Sequence, residues 1–196
     1  MSDPTSESEA VLDFWFGAPG SSAFGTARKA WFSKDAAFDA AIRERFGALV
    51  ERALGGELAA WSDDPRSALA RILLLDQFTR NAFRGTAQSF AGDASALLAA
   101  RRMVRSRQDE ALPPFMRAFA YLPFEHAEDP AMQDEAIRLF SRLVNDAPEH
   151  ADMLDYAHRH RQVIERFGRF PHRNQILGRP STAEEIAFIE QPGSAF

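Results

Sequence analysis

Helix start and stop signals recur along the whole sequence, whereas the alternating apolar and polar runs typical of strands are nearly absent. Asp64-Pro65 and Asp129-Pro130 each place a capping residue before a proline, which favours the first turn of a helix. Thr182 with Glu185 and Asp146 with Glu149 have the spacing of capping boxes. The predicted helices cover residues 7–16, 35–54, 65–83, 93–105, 113–121, 130–145, 146–167 and 182–189.

Helices of this length joined by short loops predict an all-α fold, and 196 residues suit a single domain over 1–196. Some successive helix pairs span about 34 residues, which predicts helical hairpins in a tetratricopeptide-like array. The acidic first residues, 1–8, are expected to be frayed.

Composition excludes several classes of function. The chain has no cysteine, so it can form neither disulfides nor thiolate metal sites. A net charge of −5 argues against a general nucleic-acid partner. No apolar run approaches the roughly 20 residues that span a bilayer, so no membrane partner is expected. The polar, acidic start does not resemble a signal peptide, and the expected location is the cytoplasm.

Helix 65–83 carries polar residues on an apolar stripe. At 100° per residue, Asp76 and Arg80 lie within 20° of Leu69, and Gln77 and Arg84 lie on the edge of the same stripe. The opposite side of this helix is also apolar, which predicts that the helix is buried. Charged side chains are rarely buried unless they are paired. We therefore expect these residues to meet partners or a ligand inside the protein.

Two later helices and the C-terminal segment repeat this pattern. Gln133 lies at the edge of one apolar stripe, and His160 lies in the middle of another. Each alone is most simply a hydrogen-bonded core residue, but several inward polar groups must find one another or a ligand. The segment 166–179 adds a dense set of cations in a net acidic chain, among them Arg169, His172, Arg173 and Arg179. These cations bind a ligand, cap helices or pair with acids such as Asp76 or Glu128.

The sequence predicts no metal site and no cofactor. His126 and Glu128 offer two ligands, but no further histidine completes a known zinc pattern. His158 and His160 are two residues apart on a helix, so their side chains diverge. Phosphate-binding glycine loops and nucleophile elbows are also absent from the sequence.

Three strings identify a resemblance that covers nearly the whole chain. They are LDQFTRNAFRG at 75–85, YLPFEHAED at 121–129 and FGRFPHRNQILGR at 167–179, and the opening VLDFWFG at 11–17 agrees with them. Together they resemble the bacterial family of unknown function numbered 924. The resemblance implies an all-α, tetratricopeptide-like fold, and it implies no activity.

The preferred hypothesis is a pocket for a small anionic ligand that carries a phosphate or a carboxylate. The predicted ligand-binding residues are Asp76, Gln77, Arg80, Arg84, His126, Glu128, Gln133, His160, Arg169, His172, Arg173, Asn174 and Arg179. If the protein is an enzyme, the candidate catalytic residues are His172, His160 and Asp76. One alternative is a helical module that binds an acidic peptide or C-terminus. Another is a closed polar network that serves only the fold. The sequence does not indicate an oligomeric state.

Overall fold

The computed structural model describes residues 4–191 and Ser194, and these form a single all-α domain without strands. The α-helices are α1 (Pro4–Phe16), α2 (Ala36–Leu54), α3 (Pro65–Leu73), α4 (Thr79–Ala82), α5 (Asp93–Arg105), α6 (Pro114–Glu125), α7 (Pro130–Asp146), α8 (Ala151–Phe167) and α9 (Ala183–Ile189). None of these helices is both long enough and apolar enough to cross a bilayer. The all-α prediction is confirmed, and the tetratricopeptide-like array stays a prediction.

Several of the predicted helix starts are confirmed by their caps. The Asp64 side chain accepts a hydrogen bond from the backbone of Ser67 at 2.9 Å, and Asp129 accepts one from Ala131 at 2.8 Å. Thr182 and Glu185 form the predicted capping box at the start of α9. Such caps satisfy amide groups that the first helical turn leaves without partners.

Three predicted boundaries are corrected by the structure. α1 begins at Pro4 rather than at residue 7, with Ser8 buried; the fraying expected for residues 1–8 stays a prediction, and residues 1–3 lie outside the described part of the chain. α8 begins after a short 3-10 turn, and no capping box forms at Asp146. Asp146 instead ends α7 and accepts a hydrogen bond from Arg117 at 2.8 Å.

The third correction concerns α6, which continues beyond the predicted end at Tyr121 as far as Glu125. Pro123 lies inside the helix. A proline there removes one backbone hydrogen bond, but the surrounding segment is buried and only a short stretch of helix follows it. This extension places Glu125 in the last turn of α6, directly before His126, the residue that caps it.

A π-helix over Leu74–Phe78 joins α3 to α4 without a break. All five of its residues are buried. Gly92 packs directly against it: a Cβ atom at Gly92 would lie 2.0 Å from the carbonyl oxygen of Leu75. Only a glycine permits this approach, which brings the start of α5 against the π-helix. Single π-turns within α-helices are frequent at functional sites.

The buried apolar residues form two groups, a main core that includes the π-helix and a smaller group near the C-terminus. The main core includes Trp15 and Phe78, whose ring centroids lie 5.3 Å apart. α7 packs against α6 on one side and α8 on the other. The smaller group contains Val163, Ile164 and Phe170, and it attaches the segment after α8 to that helix. The segment is thereby positioned near the end of α6.

Candidate functional site

The buried polar side chains of α4, α5, α6, α8 and the C-terminal segment meet around Asp76, and we call this group the cluster. Asp76 lies in the π-helix and is 1% exposed. Its Oδ1 atom lies 2.8 Å from Nδ1 of His126 and 3.1 Å from Nη1 of Arg80. Its Oδ2 atom accepts a hydrogen bond of 2.6 Å from Nε2 of Gln77. Burial alone would raise the pKa of Asp76, but Arg80, His126 and Gln77 together hold it well below the usual range. Asp76 is therefore an ionised, fully engaged carboxylate.

Arg80 connects Asp76 to the start of α5. Its Nη1 atom donates to Oδ1 of Asp93 at 2.8 Å, and its Nη2 atom donates to Oδ2 at 3.2 Å. Arg173 donates from Nη1 to the same Oδ2 atom at 3.1 Å. Two guanidinium groups from α4 and from the C-terminal segment thus share one carboxylate.

Arg173 lies against two aromatic rings and is 6% exposed. Its guanidinium carbon lies 4.5 Å from the ring centroid of Phe170 and 4.8 Å from that of Phe90. Its Nε atom is buried and has no hydrogen-bond partner among the described residues. Burial, together with the nearby Arg80, lowers the pKa of Arg173 to about 10. The surrounding residues therefore balance the positive charge of Arg173 only in part, and they leave its Nε donor without a partner among the described residues.

Glu125, His126 and His160 adjoin Asp76 on the side of α6 and α8. Nδ1 of His160 lies 2.9 Å from the carbonyl oxygen of Tyr156 and 3.1 Å from Oε1 of Glu125. Oε2 of Glu125 is buried and has no hydrogen-bond partner among the described residues. The ring centroids of the two histidines are 6.2 Å apart. Each of the three side chains offers a ligand atom, and these atoms lie within 4.8 Å of one another.

Burial controls the protonation of this group. It raises the pKa of Glu125 to about 8, with a further increase from the negative charge of Asp76. It lowers the pKa of His160 to about 3, and the nearby His126 lowers it further. The pKa of His126 is also lowered by burial, although Asp76 opposes that effect. These shifts favour neutral imidazoles and a protonated Glu125 at neutral pH.

His172 lies in the 3-10 turn that also carries Arg173. The centroid of its ring is 5.8 Å from that of Phe170. Burial lowers the pKa of His172 to about 4, assisted by the charges of Arg173 and Arg80. His172 is therefore a neutral imidazole beside the cluster.

Glu128, Asn174 and Arg179 form an adjoining clamp. Arg179 donates to both carboxylate oxygens of Glu128, at 2.6 and 2.9 Å, and its Nε atom donates to Oδ1 of Asn174 at 2.9 Å. Oε1 of Glu128 also accepts the backbone amide of Phe170 at 2.8 Å. These bonds fix the C-terminal segment, and thus Arg173, against the end of α6.

Three predicted site residues make no hydrogen bond to a side chain of the cluster. Arg84 donates to both oxygens of Asp39 on α2, at 2.6 and 2.9 Å. Arg169 donates to Glu185 on α9 at 2.6 Å. Gln133 donates to the carbonyl oxygens of Glu125 and Ala127, both at 2.7 Å, so it secures the end of α6 from α7.

The cluster also contains four residues that the predicted site lacks: Phe90, Asp93, Glu125 and Phe170. Asp93 had a signal in the sequence, because an acid is favoured in the first turn of a helix. The glycine directly before it permits close packing of that helix start. Glu125 lies within the string at 121–129, but the predicted helix ends at Tyr121, so the prediction does not place Glu125 on a buried helical face. The two aromatic rings gave no signal that separates them from core residues.

The comparisons agree with this architecture. The profile of a family described as a bacterial protein of unknown function, DUF924, matches residues 11–193. A solved structure of a protein of unknown function from Agrobacterium tumefaciens is 41% identical, with a TM-score of 0.84 over 96% of this chain and 99% of that one. None of the curated proteins is a significant match to this chain. The chain therefore belongs to the DUF924 family.

Proposed function

We propose that the cluster around Asp76 binds a small molecule that carries a phosphate or carboxylate group. The observation that supports this most directly is Arg173, a buried guanidinium whose Nε atom has no partner among the described residues. A planar guanidinium presents paired donors that match the oxygens of such anions. A buried donor without a partner costs free energy, which an anion would recover on binding.

The distribution of charge also supports an anion near Arg173. Arg80 pairs with two carboxylates, those of Asp76 and Asp93. Arg173 pairs with Asp93 alone, and it shares that carboxylate with Arg80, so its positive charge is less well balanced. The aromatic rings of Phe90 and Phe170 fix the guanidinium plane. A guanidinium that is already oriented before a ligand arrives lowers the entropic cost of binding.

If the bound molecule reacts, His126 is the best placed group for proton transfer. Asp76 holds its Nδ1 atom at 2.8 Å, which leaves Nε2 to exchange a proton with a ligand. An acid that orients an imidazole in this way is the arrangement found in many general bases. The predicted candidates take other parts in this proposal: Asp76 orients His126, and His160 and His172 are neutral neighbours of the site.

Isothermal titration with inorganic phosphate and citrate, in chelator-treated protein, tests the proposal. We expect saturable binding of at least one of these anions to the wild type, and a Kd at least about tenfold weaker in Arg173→Met, since a hydrogen bond to a charged group contributes roughly 1.5–3 kcal/mol. Arg102→Met is the matched control, because Arg102 pairs with the exposed Asp63 at the surface. Absence of anion binding, or an equal loss in both variants, would contradict the proposal.

Peptide binding stays a prediction. Several arginines expected to line a groove are engaged with acids of this chain, as Arg84 is with Asp39 and Arg179 is with Glu128. Those cations are therefore less available to an acidic peptide than the sequence alone suggests.

A further inference from the structure

We propose that Glu125, His126 and His160 form a binding site for a divalent transition-metal ion, with Zn²⁺ as the reference ion. Their ligand atoms lie within 4.8 Å of one another, and two helices, α6 and α8, hold them in place. This departs from the sequence-based expectation of no metal site, because the carboxylate that adjoins the two histidines is Glu125 rather than Glu128. The proposal does not depend on anion binding.

The donor set defines the class of metal. Two imidazoles and one carboxylate are the ligands of many zinc sites that keep an open position, and the same set binds iron in other enzymes. Mg²⁺ and Ca²⁺ prefer oxygen ligands, so two nitrogen donors discriminate against them. The site would therefore select zinc or a neighbouring first-row metal over these ions.

Each histidine has a neighbour that orients it. Nδ1 of His126 is held by the carboxylate of Asp76, so Nε2 is its metal-binding atom, and with a metal bound this atom is no longer free for the proton transfer considered above. A carboxylate behind a metal-binding histidine is a common arrangement, because it fixes the ring and increases its basicity. The nitrogen of His160 beside Glu125 is Nδ1. A metal at Nδ1 would take the place of the hydrogen bond to the Tyr156 carbonyl, and the neutral ring would then carry its proton on Nε2.

Glu125 supplies the second observation. Its side chain is 4% exposed, and Oε2 is buried without a hydrogen-bond partner among the described residues. A buried polar atom without a partner is uncommon and calls for an explanation, such as a bound ion. A metal ion beside Oε2 would satisfy that atom and would ionise the carboxyl group, so binding should release a proton.

The surrounding charges allow a cation and leave a role for an anion. Arg80 and Arg173 would repel a metal, but Asp76 and Asp93 balance them. With Glu125 ionised and a divalent ion bound, these groups sum to a charge of one positive unit. An anion or hydroxide in the open coordination position would neutralise this charge. His126, 15% exposed, gives the site its contact with solvent.

Titration of chelator-treated protein with Zn²⁺ in phosphate-free buffer tests the proposal. We expect one ion per chain, no comparable binding of Mg²⁺, and proton release on binding. Loss of a group that only orients a metal ligand usually weakens a metal site 10–100-fold, and loss of a ligand itself should cost more. Glu125→Gln and His160→Asn should therefore each weaken Zn²⁺ binding by at least about 100-fold. His158→Asn is the control, because His158 is exposed two residues away on α8.

Further measurements keep the result decisive. Arg173→Met should retain Zn²⁺ binding, which separates failure of the metal site from failure of the anion proposal. Should a ligand variant not fold, X-ray absorption of the wild type with Co²⁺ should show two imidazoles in the first coordination shell. Absence of Zn²⁺ binding, binding unchanged in both ligand variants, or a coordination shell without imidazole would overturn the proposal.

Discussion

Asp39 and Asp76 are two buried aspartates that pair with neighbouring arginines, Arg84 in the turn after α4 and Arg80 on α4, yet their surroundings differ. Asp39 accepts three hydrogen bonds from Arg84 and Asn81, which occupy both of its oxygens. Asp76 is equally well engaged, but its network continues to Arg173 and adjoins Glu125, each of which has a buried polar atom without a partner among the described residues. A closed pair suits a structural role, whereas a network with open ends suits a ligand.

The largest expected effect is that of removing the charge of Asp76. Asp76→Asn should lower the free energy of unfolding by about 3–5 kcal/mol, since breaking a buried ion pair leaves the remaining charge uncompensated. Asp39→Asn should cost less, about 1–3 kcal/mol, because Arg84 is 35% exposed and water can solvate it. Urea denaturation measures both. An equal or smaller loss in Asp76→Asn would contradict the central position given to Asp76.

The next effect concerns Gly92, which brings Asp93 to the two arginines. Gly92→Ala should destabilise the protein by about 2–3 kcal/mol, because the new methyl group meets backbone atoms that can move only with the π-helix. Gly47→Ala is the matched control, since nothing lies within 4 Å of its Cβ position in α2. That variant should gain about 0.5–1 kcal/mol of stability. Equal stabilities of the two variants would argue against the close approach.

The third effect separates the two arginines. Arg84→Met should cost about 2 kcal/mol, because it removes two hydrogen bonds from the buried carboxylate of Asp39. Arg173→Met should change stability by less than about 1 kcal/mol, because Asp93 keeps its pair with Arg80 and is itself 23% exposed, so its charge stays compensated. Thermal and urea denaturation of both variants check this order. A larger loss in Arg173→Met would indicate a closed structural network.

The smallest effect is the pH dependence that His172 contributes. Its pKa is about 4 in the folded protein and near 6.5 in the unfolded chain, so acidification through this range protonates the unfolded state first. Stability should therefore fall as the pH decreases from 6.5 toward 4. His172→Gln should reduce this fall by about 1 kcal/mol between pH 6.5 and 5.5. Urea denaturation at these two pH values measures it, and an undiminished fall in His172→Gln would contradict the burial of a neutral His172.

Local signals determined how much of the fold was predictable. Asp64 and Asp129 mark helix starts because capping depends on neighbouring residues alone. The π-helix was not predictable, because it forms where Gly92 approaches from another helix. The sequence places the end of α6 at Tyr121, and a proline two residues later usually ends a helix. In the structure α6 continues through Pro123 to Glu125, because this stretch is buried.

The candidate site was predictable in its centre and not at its margins. The inward stripe indicated that Asp76 and Arg80 need partners inside the protein, and they pair with each other. The same stripe included Arg84, whose partner Asp39 comes from a helix that the pattern cannot place. The neighbours of Arg173 and the proximity of Glu125 to His160 depend on how α8 and the C-terminal segment pack, which no local spacing encodes.

A high-resolution crystal structure of protein purified without chelators tests the central claim most directly. The account predicts an ordered ion or small molecule, distinct from water, within bonding distance of Oε2 of Glu125 or Nε of Arg173. Both atoms bonded to side chains of the protein, with no space between them for a guest, would contradict it and would make the cluster around Asp76 a structural network like that of Asp39.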